Sequence, residues 1–362
     1  MGSEGRQLPA PDRGRRRGRA GGERGVSRRA PWLVFGVGLL LVSIVAGLLV
    51  GPVHIAPGAA LRWVASFGDA PPGMSEQQAA ILGNLRLPRV IVAALVGASL
   101  SASGAAYQAV FRNPLADPYL LGAAAGAGLG ATIAVVYGPA TAFAVTVPLA
   151  AFIGAVAGVG MAYGLGRSSL GGRSSTSLIL GGIAVASFLT AVQTFIQQQN
   201  AETLRQVYSW ILGRLGTTGW DDARIALPSV VVAVSILWLV RRLLDVIEVG
   251  DLEAESLGLH VGRLRVVVVV AASLATAAAV SVAGLIGFVG IIVPHTIRLL
   301  AGTSYRQVLP LSILFGASFL ILVDLVARTA VAPAEIPIGV ITAFVGAPFF
   351  VLALRRAGGR SA

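Results

Sequence analysis

Apolar runs of about twenty residues recur along almost the whole of this 362-residue chain, and that feature limits what it can fold into. Hydrocarbon offers no water to backbone N–H and C=O groups. A segment that crosses it must close its own hydrogen bonds as a helix or join a closed barrel. A helix needs about twenty apolar residues to cross, whereas a strand needs only about ten. The runs and their breakers predict ten helical spans, near 32–52, 88–111, 118–137, 142–165, 175–199, 223–244, 262–284, a short 290–301, 306–328 and 337–355. Only 12% of residues are charged, against about 25% in soluble domains. The 46 glycines suit helices that pack closely in lipid. The predicted fold is therefore all-α, a membrane domain over 32–356 between a basic tail (1–31) and a short C-terminal tail (357–362).

The ionisable residues exclude several chemistries. All 28 basic residues are arginine, so the chain has no lysine for a P-loop or a Schiff base. It also lacks cysteine, and with it any disulfide, Fe–S cluster or thiol nucleophile. His54, His260 and His295 are far apart, and no His/carboxylate set has metal-ligand spacing, so neither a catalytic residue nor a metal site is expected.

Nine arginines crowd the first 29 residues. Such a stretch could bind RNA, but in front of a span it reads better as a topology signal that keeps the N-terminus cytoplasmic. An even number of spans returns the C-terminus to the same side. That puts twenty-one arginines inside and seven outside, as the positive-inside rule expects, in a cell membrane with lipid around it and no nucleic-acid partner. A cleaved signal peptide is disfavoured, because many spans follow.

Two stretches outside the spans, 53–87 and 200–222, are too polar or too short to cross, and the second reads as an amphipathic helix on the outer surface. Segments starting at Arg89 and Arg265 are faintly similar and would run in opposite directions, as in inverted repeats. Coincidence among Ala/Val/Gly-rich helices explains the likeness equally well.

Several motifs stand out. GDLEAESLGLH (250–260) lies in an acidic, helix-prone segment, about 245–262, between two apolar runs. Asp251 is placed to N-cap a short helix, Glu253 and Glu255 to favour its positive end, and Gly258 to end it. Leu252, Ser256 and Leu259 share one face, and Ala254 and Leu257 another. FRNPLADP (111–118) imposes turns through Asn113–Pro114 and Asp117–Pro118. Gly122, Gly126 and Gly130 form one helix face for close packing and not a phosphate cradle. Asp324 lies inside a span with Arg328 four residues on, which predicts a structural i,i+4 pair. Such an acid is also a candidate proton relay. Gln193 and Gln197 are pathway candidates, with Gln198 and Gln199 beside them. Pro294 should end or offset the eighth helix, with His295 satisfying the backbone groups it frees.

LRLPRVIVAALVGASLSASGAAYQAVFRNPLADPYLLG (85–122), GLIGFVGIIVPHTIRLL (284–300) and EIPIGVITAFVGAPFFVLALRR (335–356) resemble, in order, the FecCD-type permeases of iron-siderophore, haem and vitamin B12 ABC importers. The resemblance implies a type II ABC importer permease that dimerises around a central pathway, as a homodimer or heterodimer. It implies that Asp251–Gly258 is a coupling helix docking on a separate ATPase subunit, two copies of which use ATP and magnesium, with no cofactor bound by this chain. It further implies that Asn113 and Leu115, with Thr176 and Ser177, constrict the cytoplasmic mouth. Arg86, Arg89 and Arg328 would dock an extracytoplasmic binding protein through carboxylates, which arginine's planar fork suits. The cargo would be a metal chelate: ferric siderophore first, haem or cobalamin next. A proton- or sodium-driven secondary transporter is the alternative class, and a membrane enzyme lacks a plausible nucleophile or carboxylate dyad.

Overall fold

The computed structural model describes residues 29–66, 68–168 and 175–358; most of the basic tail and the last four residues lie outside them. Seven of the described helices are long and apolar enough to cross a membrane, and three shorter apolar helices accompany them. These ten correspond to the ten predicted spans. They are α1 (Arg29–Leu49), α4 (Leu87–Phe111), α5 (Ala123–Tyr137), α6 (Phe143–Ser168), α7 (Ser175–Gln199), α9 (Trp220–Val249), α11 (Val261–Ala283), α12 (Val289–Ala301), α13 (Tyr305–Thr329) and α14 (Ile338–Gly358). Short helices α2 (Pro57–Ala65), α3 (Glu76–Ala80), α8 (Leu204–Ile211) and α10 (Asp251–Ser256) fall in the connections.

Two boundaries differ from expectation. Pro88 stands in the first turn of α4, but helix begins before it: a π-helical turn over Ile81–Arg86 leads into α4 from α3. The wider turn sits where Pro88 lacks the N–H that the carbonyl of residue 84 would otherwise accept. The third span begins at Ala123 and not at 118, because the two prolines keep 112–122 irregular.

Burial separates centre from rim. In α4 and α11, 78% of the most apolar stretch is buried, against 22% in α1 and 28% in α7 and α9. The two central helices run antiparallel: Arg112, just past the end of α4, and Arg265, near the start of α11, hold the same Asp251 carboxylate. Between the helices Ser103 Oγ donates to Ala272 O at 2.9 Å and Tyr107 OH lies 2.6 Å from Ser273 Oγ. This is the orientation expected of inverted repeats. Beside them α5 and α6 meet through the anticipated glycine face. A Cβ on Gly126 or Gly130 would strike the carbonyl of Gly154 or Ala150, and Gly154 and Gly158 answer from α6. Backbones this close gain dispersion contacts that bulkier side chains would prevent.

The span before α12 is broken. Residues 284–288 are not helical, and Gly290, at the head of α12, abuts Gly104 in the middle of α4. Irregular backbone at such depth is tolerated only when protein groups satisfy it. Tyr119 does so for Ile286, its hydroxyl accepting from Ile286 N at 3.1 Å and donating to Ile286 O at 3.2 Å. Pro294 lies inside α12 and neither ends it nor starts it. The carbonyl it frees, four residues back at Gly290, accepts from Gln108 Nε2 at 3.1 Å. His295 does not serve as expected: its Nδ1 has no hydrogen-bond partner, and its ring stands edge-on to Phe349.

Candidate functional site

The motifs gather at the two ends of the bundle. At one end α10 projects between α9 and α11. Gly250 precedes it at φ 156°, a conformation that L side chains rarely adopt, and Gly258 follows at φ 82°. Ala254 anchors the short helix and is fully buried, whereas Leu252 and Leu257 are 79% and 76% exposed. Glu253, Glu255 and Ser256 are exposed beside them, and Ser256 Oγ turns back to donate to Glu253 O. The helix thus offers two bare leucines within an acidic rim.

Asp251 is not the N-cap. Gly250 holds that position with no side-chain bond, and the Asp251 carboxylate is held instead by Arg265 and Arg112, each 3.1 Å away. The nearby end of α9 is tied as well. Asp245 accepts from the Ser304 hydroxyl at 2.9 Å and from the backbone N–H of Tyr305, so it caps the start of α13 from another helix. The free N–H groups of a helix N-terminus favour such a carboxylate.

The 112–122 loop lies at the same end. Asn113 is exposed, and its Oδ1 accepts from Leu115 N at 2.9 Å, closing an Asx turn; Leu115 is half-buried. The loop crosses the first turns of α7, where a Cβ on Gly182 would strike Leu120 O. Ser177 lies half-buried in that first turn; Thr176 precedes it, with a side chain outside the described residues. Burial pushes the Asp117 carboxyl up to about 6, against one opposing bond from Tyr119 N at 2.7 Å. Gln193 and Gln197 are buried against α5, the first over Gly128 and the second 3.5 Å from Thr132 Oγ1. Neither lines an open surface of this chain.

At the opposite end the three arginines come together, but not as free groups. Arg86, Arg89 and Arg328 are 5%, 9% and 4% exposed. Arg86 closes the C-terminus of α1, donating to Leu48 O at 2.7 Å, Leu49 O at 2.9 Å and the carbonyl of Val53. Arg328 donates to Gly47 O at 2.6 Å. Arg89 grips Asp324 at 2.8–3.0 Å and Glu335 at 2.7 and 3.0 Å. The anticipated i,i+4 pair exists, with Arg328 Nε 3.7 Å from Asp324, but Arg89 is the nearer partner. An aspartate at membrane depth without a counter-charge would be costly, so two helices supply one each.

Sequence reasoning passed over Arg112, Arg265, Asp245, Gln108, Tyr119 and Glu335 as partners. Their polarity within or beside apolar runs was the available signal; what they bond is set by distant segments.

The pattern of the FecCD transport family matches residues 39–356. The chain is 40% identical to the uncharacterized ABC transporter permease protein YvrB of Bacillus subtilis, across 91% of this chain and 95% of that one. It is 42% identical to the cobalamin import system permease protein BtuC of Halobacterium salinarum, across 78% and 75%. Against the iron(3+)-hydroxamate import system permease protein FhuB of Bacillus subtilis it is 35% identical, across 89% and 84%. A solved structure of a metal-chelate type ABC transporter in an inward-facing conformation superposes with a TM-score of 0.79, at 28% identity, over 90% of this chain and 99% of that one. With ten apolar helices in this arrangement and a match from 39 to 356, the chain is a multi-pass membrane protein that belongs to the FecCD transport family.

Proposed function

We propose that this chain is the permease subunit of an ABC importer that carries metal chelates, ferric siderophores foremost, into the cell. The observation that carries this reading is α10, with Leu252 and Leu257 bare on a short acidic helix at the end where α4, α9, α11 and α13 are pinned together. A chain without lysine has no P-loop of its own, so the ATP and magnesium chemistry belongs to a partner ATPase, present in two copies. The α10 end is then cytoplasmic and holds both termini. A second permease subunit, identical or related, completes the pathway, and a binding protein delivers cargo to the opposite face. Asn113, Leu115, Thr176 and Ser177 form its inner constriction.

Docking through Arg86, Arg89 and Arg328 needs an incoming carboxylate to compete with bonds already made. Arg89 offers the best opening, because its partner Glu335 is 42% exposed. Arg→Glu exchanges at the three positions are consequently expected to impair folding, not only docking.

The test is uptake into proteoliposomes of a radiolabelled ferric hydroxamate, with and without the ATPase and Mg-ATP. Uptake only with both is expected, and charge reversal over Asp251–Leu257 should leave hydrolysis running without it. Uptake driven by a proton or sodium gradient alone would sink the reading in favour of a secondary transporter. Cobalamin is the second cargo, on the strength of the 42% identity to a cobalamin permease, and labelled cyanocobalamin in the same assay separates the two.

A further inference from the structure

Arg112 is the first residue after α4 and, with Phe288, one of two described residues other than glycine with positive φ. It holds φ 48° and ψ 38° at a left-handed C-cap, where glycine or asparagine is favoured. An arginine stands there against the backbone's own preference, and its side chain spans a gap between two units of the fold. Nη2 lies 3.1 Å from Asp251 Oδ1 on α10. The other carboxylate oxygen, Oδ2, accepts from Arg265 Nη2, also at 3.1 Å. Arg265 is buried in the same α10–α11 hairpin as Asp251, so that bond fixes the carboxylate on its own hairpin. Arg112 is the ionic partner that ties Asp251 of α10 to something outside the hairpin.

That something is the 112–122 loop, whose next residues are Asn113 and Leu115. Its first turn is stiff: Asn113 N donates to Gln108 O at 3.2 Å, Leu115 N to Asn113 Oδ1 at 2.9 Å and Ala116 N to Asn113 O at 3.1 Å. A pull on Arg112 therefore reaches Leu115 and is not absorbed by slack. Further along, Tyr119 holds both backbone groups of Ile286, so the loop is tied to the broken stretch 284–288 as well. The pair is half-exposed on both sides, which makes it a weak source of stability. Its consequence is directional: it is the described ion pair that links α10 to this loop.

We propose that Arg112 and Asp251 form the strut through which displacement of α10 moves the loop at the inner mouth, with Arg112 as its positioning residue. The inference rests on the importer reading, and the experiment separates the two. The chain has no cysteine, so Leu115→Cys and, in a second preparation, Leu252→Cys each take a single bimane label. The labelled chain is assembled in nanodiscs with its co-purified ATPase, and iodide quenching is read with and without Mg-ATP. In the otherwise unsubstituted chain both labels respond. With Arg112→Ala the Leu252 label should still respond, while the Leu115 response falls several-fold. Arg112→Lys, which keeps the charge, should recover part of it. A Leu115 response as large in Arg112→Ala as in the parent overturns the strut, and so does an Arg112→Lys variant as silent as Arg112→Ala. A parent chain whose Leu252 label ignores Mg-ATP overturns the importer reading, and the strut with it.

Discussion

Replacing Arg89 by methionine tests how the buried charges are balanced. The substitution keeps an apolar stem of similar length and removes the guanidinium. Asp324, 1% exposed, then loses every bond shorter than 3.1 Å and keeps only Arg328 Nε at 3.7 Å. Removing one partner of a buried pair costs about 3–5 kcal/mol, and the surviving Arg328 places this case near the lower end. The Glu335 bonds add little, about 0.2–1 kcal/mol, because that carboxylate is 42% exposed. The sum is about 3–4 kcal/mol. At about 2.1 cal/mol/K per residue, unfolding entropy for a chain this long gives roughly 1.3 °C per kcal/mol, or at least about 4 °C. Helices that stay inserted lower that entropy and enlarge the shift. Tryptophan fluorescence in detergent micelles reads the melting. The sharper result is in the pair: Arg89→Met with Asp324→Asn removes both charges and should melt higher than Arg89→Met alone. A double variant in which the two losses simply add would refute the counter-charge account, as would an Arg89→Met chain that melts with the parent.

Three further outcomes are expected. The Asp117 carboxyl titrates near 6 in the folded chain, above its unfolded value near 3.9, so the folded state holds the extra proton between the two. Stability present below about pH 4 is lost as pH rises through about 6, and Asp117→Asn should flatten a melting profile taken across that window. Tyr119→Phe strips a hydroxyl from both backbone groups of Ile286 and should cost about 2–4 kcal/mol, read as lower melting; an unchanged Tm would mean the broken span is satisfied otherwise. Gly126→Val drives side-chain carbon into Gly154 O and should cut membrane yield sharply, whereas Gly160→Ala, where a Cβ meets nothing within 4 Å, should express as the parent does.

The spans were legible because hydrocarbon imposes a one-dimensional rule: length and apolarity suffice, and no tertiary contact is needed to state them. The same holds for the glycine face of α5, which depends only on a repeat of four, and for α10, whose acidic first turn and flanking glycines are local signals. Pro88 and Pro294 show where local reasoning ran short. Pro88 starts a predicted span and Pro294 marks a predicted break, but the π turn and the Gln108 side chain that accommodate them come from packing.

What the sequence alone determined is therefore the class, the ten apolar helices and the short acidic helix between two of them. What only the tertiary structure decided is which polar group answers which. Asp324 bonds Arg89, 235 residues away, more closely than Arg328 on its own helix. Tyr119 reaches Ile286 across 167 residues, and Arg112 finds Asp251 on another hairpin. The reason is the same in each case. Burial away from water obliges every charge and backbone group to find a partner, but local spacing records only the obligation. The partner is whatever the packed helices bring within reach.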